Sequence, residues 1–218
     1  VRNIAKRKLY SFVNSVGLSI GIAFSLSVYL FIQDEKSFDQ FHINKDNIQL
    51  IVSKRFEFMR FKNGEGEPFG ETVAQNGKLG DVMLEEIPAV QSMTRYVAPV
   101  NGLFRYNEKV FSEKFTGVDS GFFKMFSFEL LAGNRDKLFD RNTNIVITPP
   151  IAEKYFGIND PIGKTVTLDL AEEKLYTVVG VISAPPANSS ISYDVLIPIT
   201  EVPWFRNDWD SHSYPTFV

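Results

Sequence analysis

From Leu9 to Ile32 the sequence LYSFVNSVGLSIGIAFSLSVYLFI carries no charged side chain, whereas Arg2, Lys6, Arg7 and Lys8 precede it and Asp34 and Glu35 follow. At about 1.5 Å per residue the run makes about 36 Å of helix, enough to cross a hydrocarbon core of about 30 Å with some tilt. It is longer than the roughly 7 to 15 apolar residues of a cleaved signal peptide, and it ends in Tyr29, Leu30, Phe31 and Ile32 rather than in small residues. A helix buried in a soluble domain shows a polar face, and only scattered serines and Asn14 interrupt this one. The pattern predicts a retained membrane span over 9–33. Basic residues gather on the cytoplasmic side of a span, so the N-terminus is expected inside and everything after about Asp34 outside. Segment 1–11, with Ile4, Leu9 and Tyr10 among its cations, reads as a short amphipathic stretch on the inner membrane surface. Its basic flank, Arg2, Lys6, Arg7 and Lys8, would sit against anionic lipid headgroups.

Within the span Gly17 and Gly21 form a GxxxG element, and Ser15, Ser19, Ala23 and Ser27 recur every four residues on an adjoining stripe. Small residues let backbones approach closely, so Gly17, Gly21, Ser15, Ser19 and Ala23 are expected to form a packing face for another helix.

Past the span the pattern changes. The polar stretch DEKSFDQFHINKDN predicts a stalk over 34–47 that prolongs the helix for a turn or two and breaks at Asn44 and Asn47. Ile48 to Phe58 is rich in strand formers, and FKNGEGEPFG after it is a turn-heavy loop. Leu79, Val82, Met83 and Ile87 fall at i, i+3, i+4 and i+8, which predicts a helix over 73–87 that Pro88 stops. Met93 to Val118 reads as two or three strands with a turn at Val100, Asn101 and Gly102. Ser120 is then expected to cap a short helix carrying Phe122, Phe123 and Phe126. Asn144 to Thr148 predicts a strand, followed by a helix that opens on Pro149 and Pro150, where a missing amide costs nothing, and closes at Gly157. Further strands are expected at 165–170, 175–182 and 191–199, with PPANSS from Pro185 as a turn between the last two. The expected fold class is α+β, a mixed extracytoplasmic domain over 48–218 behind the span. The last residues, WDSHSYPTFV, run into a strand without a cap or a polar tail, so the sequence reads as continuing beyond 218.

Composition narrows the function. A mean hydropathy of −0.07 in a chain with one apolar span leaves the rest as ordinary soluble material. Roughly 185 residues suffice for one α/β domain or two small lobes. The net charge of −3 offers no electrostatic footprint for nucleic acid. The absence of cysteine excludes disulfides, thiol nucleophiles and Cys-ligated zinc, so the domain must hold together by packing, and its 20 Phe residues suggest how.

Four motifs invite chemistry. GINDPIGKT, with Gly157, Gly163, Lys164 and Thr165, resembles a phosphate loop, but a phosphate loop has four residues between its glycines and leads into a helix, whereas five lie here and a strand-like TVTLDL follows. A turn is the expected role. Glu35, Asp39 and His42 fall at i, i+4 and i+7 and would share one face of a helical stalk, where a solvated surface is expected in preference to a metal site. Asp208, Asp210 and His212 alternate on one face of a strand without a fourth ligand. Asn188, Ser189 and Ser190 match a glycosylation sequon inside a Pro-rich turn that accounts for them better. With two histidines, no HExxH and no G-x-S-x-G, a hydrolytic centre has almost nothing to be built from.

The residues resemble the MacB/FtsX-like permeases of ABC transporters. The stretches that carry the likeness are RNIAKRKLYSFVNSVGLSIGIA at Arg2 to Ala23, DEKSFDQFH at Asp34 to His42, GVDSGFFKMFSFELLAG from Gly117, IAEKYFGINDPIGKTV from Ile151 and YTVVGVISAPPANSSISYDVLIPI from Tyr176. They span nearly the whole chain in the family's order. The resemblance implies a surface helix, a first span and a MacB-type periplasmic core domain, followed in the family by three more spans and a cytoplasmic loop that engages an ATPase. It implies a permease subunit of the inner membrane, not itself an enzyme and without a cofactor. Such a subunit relays ATP-driven motion to its outer domain for efflux or release of a periplasmic client. The implied partners are a separate ABC ATPase subunit, a second permease copy or homologue in a dimer, a periplasmic client or fusion protein, and membrane lipid. The alternative is a singly anchored binding or sensor module without transport activity.

Overall fold

The computed structural model describes residues 8–56, 68–211 and 214–218, and the chain divides into two units, Val1–Gln40 and Phe41–Val218.

Among the described residues the first unit holds one helix, α1 (Lys8–Ser37). Its stretch Tyr10–Ser37 has the length and hydropathy of a membrane span and buries none of its apolar side chains within the protein. The helix runs one turn past Asp34 and ends where the Ser37 hydroxyl donates to the Asp34 carbonyl at 2.7 Å. Asp39 then takes a left-handed φ of 57°. The stalk therefore breaks earlier than Asn44, at a residue type that tolerates this conformation. Arg2, Lys6 and Arg7 and most of the expected surface stretch lie outside the described residues, and Lys8 opens α1.

In the second unit a lead-in segment, 41–51, precedes a two-stranded ribbon, β1 (Ser53–Phe56) against β2 (Pro68–Thr72). β3 (Ala74–Gln75) and α2 (Leu79–Glu86) follow. The expected helix over 73–87 is thus only its C-terminal half. Its first residues are taken by a strand pairing, and a Cβ on Gly77 would meet the Arg206 carbonyl oxygen head-on.

β4 (Thr94–Tyr106) and β5 (Lys109–Val118) form one long hairpin. The turn expected at Val100–Gly102 is not there. The chain reverses at Asn107, whose φ is 53°, and 97–100 is instead a bulge that accommodates Pro99, which has no amide to give the ladder. Gly102 is required for space rather than for a turn: a Cβ there would lie 2.8 Å from the Asp169 carbonyl oxygen and 2.9 Å from the Phe115 ring.

α3 (Phe122–Met125) is capped by Gly121 and not by the Ser120 side chain, and Phe126 lies just past it in extended backbone. β6 (Leu130–Gly133), β7 (Asn144–Ile147), α4 (Pro149–Phe156), β8 (Thr165–Asp169), β9 (Glu173–Ile182), β10 (Val195–Pro198) and β11 (Tyr214–Phe217) complete the unit. α4 opens on its two prolines and ends at Gly157 with φ 62°, as expected. β10 is shorter than the expected 191–199: residues 191–194 stay outside the strand, and Ile199–Glu201 closes into a 3-10 turn.

These strands close on themselves. β4 pairs with β5, β5 with β10, β10 with β7, β7 with β9, β9 with β8, and β8 with β4 again. Alternation along the strands sorts the side chains. Ile145 and Ile147, Val195 and Ile197, Val166 and Leu168, and Tyr176 and Val178 join Phe104 and Phe115 in one core cluster, the interior of the ring, which α4 seals with Ile151, Tyr155 and Phe156. Val146 and Leu196 point the other way, into a second cluster built on α3. β7 and β10 are covered on both faces, which is why they read as unbroken apolar runs rather than as alternation.

Candidate functional site

The first expected site lies on α1. Gly17, Gly21 and Ser25 border a shallow groove with Leu18, Ile22 and Tyr29. Nothing stands within 4 Å of a Cβ at either glycine, so the groove is open to a neighbouring backbone. On the adjoining stripe the Ser19 hydroxyl donates to the Ser15 carbonyl and the Ser27 hydroxyl to the Ala23 carbonyl, each at 2.8 Å. These hydroxyls are satisfied within the helix and cost little in an apolar solvent. Leu18 and Phe24 remain 67% and 71% exposed. A helix apolar on all sides and bare of protein contacts needs lipid or other helices around it.

The second site is the one that sequence reasoning missed. His42, expected on a solvated helical face with Glu35 and Asp39, is 3% exposed. It sits beyond the end of the helix, so the i, i+4, i+7 spacing has no face to act on. Its ring packs on Phe41, Phe126 and Phe128 with centroids 4.1, 5.0 and 5.1 Å away. Its Nδ1 accepts from the Ser127 amide at 3.1 Å, while the Ile43 amide donates to the Ser127 hydroxyl at 2.9 Å. Phe41 adds a contact to Phe128 at 5.6 Å. Arg135 holds the same knot from behind, donating to the carbonyls of Phe123 and Phe128. Further along the lead-in, Gln49 and Val218 exchange two backbone hydrogen bonds, of 2.8 and 3.0 Å, and the Ile51 amide donates to the Thr216 carbonyl at 2.9 Å. Phe217 reaches Phe126 edge-on at 5.3 Å.

Two buried ionic groups stiffen the domain. Arg95 gives Nε and Nη2 to the two Asp119 carboxylate oxygens, at 2.8 and 2.7 Å, and Nη1 to the Gly77 carbonyl, Asn207 and Asp81. Burial works against its charge, but the bonds and charges of Asp119 and Asp81 more than offset this and hold the guanidinium above its ordinary value. Inside the ring, the Tyr155 hydroxyl donates to Glu113 Oε1 at 2.7 Å, and Lys154 meets the same oxygen. Burial first, then the bond to the Glu113 carboxylate and its charge, push the Tyr155 phenol well up. At the other mouth of the ring Tyr176 donates to Glu201 at 2.9 Å, beside a recess of about 440 Å³, and its phenol is raised for the same reasons.

None of this converges on a reaction. Among the described residues no three His, Asp or Glu side chains gather as for a metal. Asp208 is engaged by Arg206 at 2.7 Å and by the amides of Asp210 and Ser211, and His212 lies outside the described residues. The GKT segment is a turn: Gly163 has φ 77°, its amide donates to the Val178 carbonyl, and Thr165 opens a strand. Asn188 to Ser190 also lie in a turn, closed by the Ser189 amide on the Pro186 carbonyl at 3.0 Å. A groove of about 810 Å³ beside the lead-in is lined by Gln49, Gln91, Ser92 and Met83, with Asp46 and Lys124 as its charged members, and offers no paired acid and base.

An apolar helix of membrane-span length followed by a folded domain of α+β type is the architecture of a membrane-anchored protein. The chain belongs to the family of MacB-like periplasmic core domains, whose model matches residues 11–216. Such domains are parts of ABC-type transporter permeases. Among solved structures, a domain of a putative permease protein from Porphyromonas gingivalis superimposes with a TM-score of 0.66 at 26% identity, covering 83% of this chain and 75% of that one. The periplasmic region of MacB from Actinobacillus actinomycetemcomitans shares the fold, with a TM-score of 0.50 at 20% identity over 78% of this chain and 72% of that one. The extracellular domain of the noncanonic ABC-type transporter YknZ from Gram-positive bacteria aligns with a TM-score of 0.44 at 19% identity, covering 62% and 66%. No curated protein sequence matches the chain.

Proposed function

We propose that this chain is the first span and outer domain of a permease subunit that relays ATP-driven motion from a separate ABC ATPase to the periplasmic side, where it expels or releases a client. The observation that carries the reading is α1, apolar on every side and followed after three residues by the folded unit of a family domain, with no reactive centre among the described residues. The span lies in the inner membrane with Arg2, Lys6, Arg7 and Lys8 at its cytoplasmic end, against lipid headgroups, and with residues after about 34 in the periplasm. The open face at Gly17 and Gly21, flanked by Ser15, Ser19 and Ala23, packs on another span of the permease or of a second copy in a dimer. A periplasmic fusion protein is a further partner.

The test is direct. In membranes holding the permease and its ATPase, ATP should move the outer domain, read as a change in energy transfer between a dye on the domain and acceptor-labelled lipid headgroups. No change with ATP, in a complex that still hydrolyses it, would leave a tethered binding or sensor module as the better reading.

A further inference from the structure

We infer that the aromatic cluster on α3 is the joint through which the span's motion enters the domain, with the closed ring carried behind it as one body. The inference rests on the relay reading and names the place where it acts. Four residues after α1 ends, Phe41 and His42 are already inserted among Phe126 and Phe128. Ser127 clasps the chain there in both directions, its amide giving to His42 and its hydroxyl receiving from Ile43.

A pull on residue 40 therefore reaches packed rings and two hydrogen bonds before any slack is taken up. The lead-in is fixed again at Gln49, Leu50 and Ile51 by backbone pairing with 216–218, and Phe217 returns to Phe126. Both fastenings fall on the outer cluster, and Ile48 and Phe41 pack against it. From there Val146 and Leu196, in the middle of β7 and β10, pass displacement to strands whose neighbouring residues fill the ring. Close-packed interiors shift as units rather than deforming smoothly, so a joint of this kind transmits motion and does not absorb it.

The experiment uses the full-length permease with its ATPase in vesicles, freed of any cysteine outside the present sequence. This chain has none of its own, and Ile158, fully exposed on the loop after α4, is replaced by Cys to carry the dye. Against acceptor lipid, Phe41→Ala with His42→Ala should cut the ATP-dependent signal several-fold while ATP turnover persists and the domain still unfolds cooperatively. Tyr155→Phe, inside the ring, should leave the signal at its starting size. A double variant that moves as the parent does overturns the joint and leaves the relay standing. A parent that does not move overturns both. Should the double variant fail to fold, Ser127→Ala, which deletes one clasp bond, decides: a reduced signal supports the joint and an unchanged one refutes it.

Discussion

Asp119 lies on the guanidinium of Arg95 through two parallel side-chain hydrogen bonds of 2.7 and 2.8 Å, and it also accepts from the Arg95 backbone amide at 2.8 Å. One carboxylate thus fixes the start of β4 twice, through the side chain and through the main chain of Arg95. With Gly77, Asp81 and Asn207 on the remaining donors, the pair draws together four segments that the sequence keeps far apart.

Arg95→Lys should therefore be costly despite keeping the charge. An ammonium cannot reproduce the planar fork, and removing a partner from a buried ionic group costs about 3–5 kcal/mol. Urea unfolding should show a lower midpoint with little change in slope. A loss under about 1 kcal/mol would mean that the network is replaceable by water.

Alkaline pH should loosen the domain. In the unfolded chain tyrosines lose their protons near pH 10, whereas Tyr155, Tyr176 and Tyr193 keep theirs to higher pH, by burial first and, for the first two, by the carboxylates they face. The folded state then binds more protons than the unfolded one, so the stability these groups contribute is complete below about pH 10 and declines as pH rises beyond it. Unfolding free energies measured from pH 8 to 12 should be flat, then fall. Tyr193→Phe should make the fall shallower.

Gly102→Ala should destabilise by about 1–3 kcal/mol, the range for overpacking a filled interior, because its new methyl meets the Asp169 carbonyl, Leu170 and Phe115. If Gly102 were instead a turn residue, its neighbour Asn101 would share the burden. Asn101→Ala, in the middle of a paired strand, should cost well under 1 kcal/mol in the same thermal unfolding series.

A Cβ at Gly17 or Gly21 meets no atom of the described chain within 4 Å, so a bulky side chain there acts chiefly on whatever packs against that face. Both substitutions should uncouple ATP turnover from domain movement in the full complex, while Val28→Leu should be tolerated. Equal behaviour of all three in cross-linking and client release would make the face plain lipid contact.

Gly102 also shows where sequence reading fails. Asn-Gly is a strong hairpin signal, yet here the glycine answers to the crowding of β8 and β5 against β4, which no local pattern reveals. The strands NIVI and VLIP were legible because burial on both faces writes an unbroken apolar run. α1 was legible because lipid demands length. The His42 knot was not, since its partner Ser127 is 84 residues away from Ile43 and a histidine beside acidic residues looks like solvent-facing polarity. Only the Phe-rich stretch 122–128 hinted that rings were waiting for something.

Ring closure has one more consequence. A sheet that ends on itself leaves few open edges, and among the described residues the terminal strands of the large sheet, β3 and β6, have two and four residues. β6 also terminates in Gly133 at φ 107°, which turns its backbone away from a straight ladder. Proteins confined to one membrane meet their own copies far more often than free proteins do. For such a chain, short and bent margins are protection against strand exchange and fibre growth.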